Sequence, residues 1–375
     1  MESLLSSRRD RIASILFYTA FLLDIIILCT NNAGIEIPYR GRLLQLAAVI
    51  WGVKILMTKY TKKEWVLIVC VAFLSLLPFL FLRETLVVQI VLMLLASKDM
   101  DRSKLLKCYF FMLLFSMLLM VLLSSVGIID NLALIKDFDR GGVETRYCFG
   151  FNHPNVFYSN FLNLTAIGMC AFYSKLKNWH YVLLTVLNCF LMNLSASRTG
   201  FIVVQVLIIA MFLVQKWPHI MESKVIYSLG YVAIGVAIIF SYSIFWMDWN
   251  LVMKLDEIFT GRVGIAQTWG HISEWKLLPV SREAEALVLD MGFVNLMYYW
   301  GIILGTVYLF VIFWNYRQFR IKKDYSALVI LLSYTLFTMI EAHAFSMYFV
   351  GNLMFMMMLG WGKERNNVSA EKSDS

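Results

Sequence analysis

Residues 180–215 read HYVLLTVLNCFLMNLSASRTGFIVVQVLIIAMFLVQ. Two apolar runs, 180–196 and 200–215, are parted only by Ser197-Arg198-Thr199-Gly200. A bilayer crossing takes roughly 20 apolar residues over about 30 Å, so consecutive runs of this kind with almost no loop predict a tight transmembrane hairpin. Such a turn cannot carry Arg198 far from the bilayer surface. A charged group held there is a functional expectation by default, and the amides of the helix starting beside it would add to an anion site. The plainer reading is a helix boundary with an incidental arginine.

The same pattern runs outward in both directions. The chain of 375 residues is 60% hydrophobic and 15% charged, with mean hydropathy +0.71, which excludes a soluble domain. The predicted fold is an all-α polytopic membrane protein of about 12 (10–12) transmembrane helices. The segments lie near 12–30, 43–58, 65–82, 85–96, 105–129, 155–174, 180–196, 200–215, 225–246, 287–313, 326–342 and 345–361. Residues 1–361 form one transmembrane domain and 362–375 a polar cytoplasmic tail. The 85–96 segment is short and reads as tilted or partly re-entrant. The apolar run after Arg8-Arg9-Asp10-Arg11 lacks a small-residue cleavage site and reads as the first span rather than a signal peptide. Six scattered cysteines give neither a disulfide framework nor a zinc spacing, and no metal or cofactor is called for. The net charge of +8 is spread by topology and is no nucleic-acid footprint.

With both ends inside, 21 of the 33 lysines and arginines fall on the cytoplasmic side and eleven on the outer side, as the positive-inside rule requires. The type of cation differs too. Fourteen of the inner 21 are lysine, whereas eight of the outer eleven are arginine: 40, 42, 83, 140, 146, 198, 262 and 282. Topology needs only charge; the planar guanidinium fork grips phosphate in bidentate fashion and stays charged when partly dehydrated. Arg146, Arg198, Arg262 and Arg282 are therefore candidates for a phosphate or diphosphate. The alternative is pairing with outer acids such as Glu36, Glu84 and Asp139.

Two longer outer loops, 130–154 and 247–286, are of a length that usually carries function. The second alternates aromatic and polar residues, as in Gln267-Thr268-Trp269-Gly270-His271. Trp246 and Trp249 read as interfacial anchors, and Trp269 and Trp275 as faces on which a sugar ring can stack. Three of the five histidines, His153, His271 and His343, fall at or near the outer side, where imidazole serves as a base near neutral pH. Glu341 ends a late span; it reads equally as part of the chemistry and as a hydrogen-bonded partner of an outer arginine. In Asn152-His153-Pro154-Asn155, Pro154 suits a first helical turn and Asn152 its cap, leaving His153 either a base or a loop-holding residue.

Taken in order, Arg146, then Gly150-Phe151-Asn152-His153-Pro154-Asn155, then Ser197-Arg198-Thr199-Gly200, then Thr260-Gly261-Arg262 in a long outer loop, with Glu341 and Asn352 in the closing spans, resemble the Wzy-type polysaccharide polymerases. That superfamily also contains the O-antigen ligases. The resemblance covers residues 140–360; the first 130 residues contribute only spans. An arginine-ten-residues-glycine pattern found in some polymerases is not matched, because Arg140, Arg146 and Arg262 are followed at that spacing by Phe151, Phe157 and Ser273.

The resemblance implies a GT-C-like, metal-independent glycosyltransferase of the bacterial plasma membrane. It would polymerise undecaprenyl-diphosphate-linked oligosaccharide repeat units at the outer face, in company with a flippase and a chain-length regulator. Arg146, Arg198, Arg262 and Arg282 would hold the diphosphate, and Trp269, Trp275 and Asn155 the sugars. His153, His271 or Glu341 would take the proton from the acceptor hydroxyl. A ligase acting on another acceptor shares the same donor. A lipid-linked oligosaccharide flippase or other transporter would instead place its ionisable groups near the bilayer midplane, where only Asp24 and Lys54 are found. A non-catalytic scaffold would leave the arginines as incidental features.

Overall fold

The computed structural model describes residues 2–130, 133–137, 143–259, 261–280 and 289–342, with side chains from residue 9 onward except those of Lys136 and Asp137. The chain is mostly helical. Helices α1 (Glu2–Asn32), α2 (Arg40–Met57), α3 (Lys62–Leu82), α4 (Leu86–Ala96) and α5 (Arg102–Ser125) precede a short β-hairpin. After it come α6 (Pro154–Ala171), α7 (Asn178–Ser195), α8 (Arg198–Lys216), α9 (Lys224–Ser243), α10 (Trp249–Phe259), α11 (Arg262–Trp269), α12 (Gly292–Ile321) and α13 (Tyr325–Ile340). A helix thus covers each predicted span up to residue 342. The segment 345–361, Asn352 within it, His343 and the tail lie outside the described residues.

Among the described residues, six helical segments are long and apolar enough to cross a membrane: Arg9–Asn32, Lys62–Leu82, Arg102–Ser125, Arg198–Lys216, Lys224–Trp246 and Gly292–Ile321. Their surfaces explain the composition. Val66, Val69, Phe73 and Leu80 on α3 and Phe111, Phe115, Leu118 and Leu122 on α5 point outward and exposed, an arrangement stable only if hydrocarbon surrounds the bundle. The 11 residues of α4 span only about 16 Å, too little for a crossing of about 30 Å. Most of its length is buried instead, and Gln89 donates to the Leu44 carbonyl at 2.7 Å.

Helix α13 is the hub. It packs against α6, α8, α9 and α12 and is buried along nearly its whole length. Polar side chains fix its partners: the Tyr334 hydroxyl donates to Asn163 Oδ1 of α6 at 2.7 Å, and Tyr158 of α6 donates to the Asn188 carbonyl of α7 at 2.9 Å. Helix α12 contains a break at Gly301, where φ is 79° and ψ 162°. Only glycine takes that backbone region readily. The break frees the Ile302 and Ile303 amides, which donate to the carbonyls of Lys276 and Leu277 at 3.0 and 3.2 Å. The segment after α11 is thereby docked onto α12.

Two expectations are revised. The fold is not purely α: Ala133–Asp137 and Val143–Tyr147 form an antiparallel hairpin, β1 and β2, with Leu134 opposite Arg146 and Ile135 opposite Thr145. The alternating, β-branched Val143-Glu144-Thr145-Arg146-Tyr147 favours a half-buried strand, a signal short enough to pass as loop. The second long loop, 247–286, is also structured over its described part. It folds into α10, α11 and a 3₁₀ turn, Ile272–Glu274, around a small core of Ile244, Phe245, Val252, Val263, Ala266, Met291 and Val294.

Candidate functional site

One end of the bundle gathers the C-termini of α1, α7 and α13 and the N-termini of α6, α8 and α12. Asn32 at the end of α1 donates to Asn160 near the start of α6 at 3.3 Å, and Asn152 donates its amide to the Asn32 carbonyl at 3.0 Å. Gly150, at φ 87°, lies so close to the Met120 carbonyl of α5 that a Cβ there would stand 2.5 Å from it. The 148–155 turn is therefore bolted to α1 and α5, and the start of α6 is placed by it. The cap of α6 is His153, whose Nδ1 accepts from the Asn155 amide at 3.2 Å. The expectation that Asn152 caps this helix is corrected: its side chain donates to the Asn31 carbonyl instead.

From Asn155 a buried network extends. Ser197 donates to Asn155 Oδ1 at 2.9 Å, and Asn155 Nδ2 donates to Glu341 Oε1 at 3.0 Å. The same Oε1 accepts from Arg262 Nη2 at 2.6 Å. Arg262 also donates through Nε to Asp290 Oδ2 at 3.1 Å and through Nη1 to Thr199 Oγ1 at 3.3 Å. A guanidinium has five N–H donors; three have these named acceptors. Four segments thus meet on one guanidinium, α8 through Thr199, α11 through Arg262, α13 through Glu341 and the approach to α12 through Asp290.

Local sequence explains how Arg262 is presented. Gly261 precedes α11 at φ 81°, and both oxygens of Asp256 accept helix-start amides, Val263 N at 2.8 Å and Gly264 N at 2.9 Å. A carboxylate at a helix N-terminus is stabilising, so α11 is anchored at the residue next to the arginine. Gly200, last of the Ser-Arg-Thr-Gly turn, has a packing role: a Cβ there would meet Tyr158 at 2.6 Å. That absence of side chain lets α8 close onto α6 and brings Ser197 to Asn155.

The expected site residues separate into groups. Arg146, Asn155, Arg262 and Glu341 are buried or half-buried at this end, with His153 beside them. Burial lowers the His153 pKa from the ordinary histidine value; Asp290 opposes that, and Arg146 and Arg262 add to it. Arg146 sits 6% exposed on β2 and forks onto Glu144, Nε and Nη2 donating to Oε2 at 3.0 and 2.7 Å. Among the described residues, the carboxylates seen to meet these arginines are Glu144, Asp290 and Glu341; Asp139 lies outside the described residues. Arg198 is different: it is exposed and forms no ion pair among the described residues. Asn155 bridges Ser197 and Glu341 within the network.

The loop residues lie apart from it. His271 is exposed, and its Nδ1 accepts from the Ser273 amide at 3.2 Å within its own turn. Trp269 is 56% exposed, an open aromatic face. Trp275 is half-buried, edge-on to Tyr242 and Phe245 with centroids at 5.3 and 5.7 Å, its Nε1 donating to the Gly270 carbonyl at 2.9 Å. It is a packing element of the small core around Ile244, Phe245 and Val263. Arg282 and Arg140 lie outside the described residues.

Sequence reasoning missed Asp290, Thr199 and Ser197 as parts of one network. Asp290 closes an acidic stretch beginning at Glu283, but nothing in the sequence places it against Arg262. The opposite end of the bundle is the lysine-rich one, with Lys98 paired to Glu64 at 2.7 Å, Lys323 to Glu222 at 2.9 Å and Arg102 to Asp324. No family model matches the chain, and neither a curated protein nor a solved structure is significantly similar to it.

Proposed function

We propose that the protein is a Wzy-type, GT-C-like membrane glycosyltransferase with about twelve spans and both termini in the cytoplasm. In this reading it polymerises undecaprenyl-diphosphate-linked oligosaccharide repeat units at the outer face of a bacterial plasma membrane. The observation that carries the reading is the convergence, at one end of an apolar bundle, of a buried Arg262–Glu341–Asn155–Ser197 network with an open arginine, Arg198, next to it in the same turn. Buried, hydrogen-bonded charge at a membrane surface is expensive and is retained where chemistry needs it. The network also favours an enzyme over a transporter, since it sits at the bundle's end and not at its middle.

The residues divide the work as follows. Arg198 receives the donor diphosphate, and Arg262, fixed in orientation by Glu341 and Thr199, stabilises the charge that develops on it as the glycosidic bond to phosphate breaks. Arg146 adds positive potential from the hairpin. The acceptor hydroxyl of a second repeat unit attacks the anomeric carbon, loses its proton to a carboxylate of the site, and the lipid diphosphate departs. Trp269 offers a stacking face for sugar. A flippase supplying the lipid-linked units and a chain-length regulator are the partners this reaction calls for.

The test is reconstitution. Purified protein in nanodiscs, given a synthetic undecaprenyl-diphosphate-linked repeat unit, should yield a ladder of lengthened lipid-linked oligosaccharides by mass spectrometry. Transfer of single units only to a foreign acceptor would assign it to the ligases, and no transfer to either would remove the enzymatic reading. Orientation is checked separately by impermeant maleimide on single cysteines in a cysteine-free background. Position 268 should label in intact cells and position 318 should not; the reverse pattern would overturn the outer-face assignment.

A further inference from the structure

At the lysine-rich end, opposite the site just described, an open cavity of about 460 Å³ is lined by Tyr227, Tyr231, Arg317, Arg320 and Ile321. It lies between the start of α9 and the end of α12. Positive charge at this end has a general explanation in topology, and lysine satisfies it. These two arginines are set apart by what surrounds them. Arg102 at the same end is paired to Asp324, and Lys98 and Lys323 to Glu64 and Glu222. Arg317 and Arg320 form no ion pair among the described residues.

The cavity has a built aromatic floor. The Arg320 guanidinium carbon lies over the Tyr227 ring, 3.7 Å from its centroid. Tyr227 is stacked on Tyr316 at 5.0 Å, and Tyr231 stands edge-on to both. Tyr316 reaches its place only because residue 230 is glycine: a Cβ there would collide with the Tyr316 hydroxyl, which donates to the Tyr227 carbonyl at 3.0 Å. Stacking holds a guanidinium in one plane while leaving its edge donors free to bind. Tyr227 donates its hydroxyl proton to Tyr231 at 2.7 Å, so the Tyr231 hydroxyl retains a proton to give. The outward faces alongside are apolar, with Val225, Leu229, Phe310, Trp314 and Ile321 exposed.

We infer that this cavity binds a phosphate group, gripped by Arg317 and the stacked Arg320 with a hydrogen bond from Tyr231. Two unpaired guanidinium forks and a hydroxyl donor form a phosphate-selective set, and basic pockets between helices at a membrane interface are suited to phospholipid headgroups. The apolar flanks favour a phosphodiester carried on a lipid. The inference does not depend on the proposed glycosyl transfer.

The test uses purified full-length protein in detergent, titrated with dioleoylphosphatidylglycerol, dioleoylphosphatidylcholine or glycerol 1-phosphate, with bound ligand counted by native mass spectrometry. Phosphatidylglycerol should bind saturably. The Arg317→Ala/Arg320→Gln double variant should weaken it about tenfold, and Arg320→Lys should restore little, because lysine keeps the charge but loses the fork. Lys322→Gln/Lys323→Gln, which removes the same charge beside the cavity, should leave binding within about twofold. Equal losses in the two double variants would reduce the effect to diffuse charge and overturn the site. So would equal binding of phosphatidylcholine and phosphatidylglycerol that neither double variant alters. Displacement of the lipid by glycerol 1-phosphate at similar concentration would support the phosphate site and assign its ligand to the soluble phase. Unchanged thermal unfolding of each variant distinguishes a lost contact from a lost fold.

Discussion

Arg262 and Glu341, separated by 79 positions in the chain, meet at 2.6 Å with side chains 9% and 6% exposed. Two charges in such a place carry a desolvation cost of several kcal/mol each, so their mutual attraction and the flanking bonds from Asn155 and to Thr199 and Asp290 must offset it. The Glu341 charge depends on Arg262, whereas Arg262 is also met by Asp290. The pair thereby holds the segment that carries α11 against the last described helix.

That dependence fixes the outcome of a double-mutant cycle. Arg262→Met strands a buried carboxylate and should destabilise the protein by about 3–5 kcal/mol, whereas Glu341→Leu should cost less, because Asp290 still faces the guanidinium. Arg262→Met with Glu341→Leu should recover most of that loss, because neither charge remains, yet should stay inactive if Arg262 serves the diphosphate. Thermal unfolding in detergent reads the first part and polymer output the second. Additive destabilisation in the double variant would contradict a coupled pair.

Arg198 should behave in the opposite way. Being exposed and unpaired among the described residues, it can be removed at little structural cost: Arg198→Ala should change stability by no more than about 0.5 kcal/mol. If it receives the donor diphosphate, the same substitution loses a charge-assisted contact worth about 1.5–3 kcal/mol, or roughly ten- to a hundredfold in donor binding. Arg198→Lys should rescue poorly. Polymer output at the wild-type level from Arg198→Ala would take this residue out of the donor site.

The contrast between these two arginines marks what the sequence could and could not tell. Apolar segments read from hydropathy coincide with helices α1 to α9, α12 and α13, because apolar run length is a local property of the chain. Among the described residues six helical segments are long and apolar enough to cross a membrane, and α4 is not one of them. Short motifs picked out Arg146, His153, Asn155, Arg198 and Glu341 before any of them could be seen to meet. Which arginine is engaged and which is open was not legible, since pairing depends on contacts such as Arg262 with Asp290 and Thr199 made across distant segments. Trp275 illustrates the same limit. Its aromatic neighbourhood in sequence resembles a sugar platform, whereas its ring edge and indole N–H are taken by Tyr242, Phe245 and the Gly270 carbonyl.

His153 should give the protein a measurable sensitivity to acid. Burial, first, and the nearby Arg146 and Arg262 hold its pKa below the ordinary value of 6.5. The folded state therefore keeps the ring neutral while the unfolded chain takes up a proton near 6.5, so the linked stability is fully present above that pH. It is lost as pH falls from 6.5 toward the lower folded value. His153→Asn keeps a side-chain acceptor for the Asn155 amide but cannot titrate. Thermal midpoints measured at pH 7.5 and 5.5 should differ less in His153→Asn than in the parent. An identical difference in both would show that other groups carry the acid sensitivity.

The acceptor's proton offers the sharpest test of the catalytic geometry. A neutral imidazole that accepts a hydrogen bond at Nδ1 carries its proton on Nε2. His153 accepts at Nδ1 from the Asn155 amide and His271 from the Ser273 amide, so each ring as placed offers a donor outward and not a base. Glu341 is a carboxylate, but it is 4% exposed and receives both Arg262 and Asn155 on one oxygen. Asp290 holds Arg262 at 3.1 Å with its side chain 37% exposed, the most open carboxylate on that guanidinium. Within the proposed function, Asp290 is the candidate base, with Glu341 positioning Arg262. Asp290→Asn should bind donor as well as the parent or better, since Arg262 loses a competing anion, and should transfer about a hundredfold more slowly. His271→Ala and His153→Asn should slow transfer by no more than about tenfold. Donor binding and single-turnover transfer, measured separately on purified protein, decide it. Near-normal transfer by Asp290→Asn together with a hundredfold loss in His271→Ala would move the base to the outer loop.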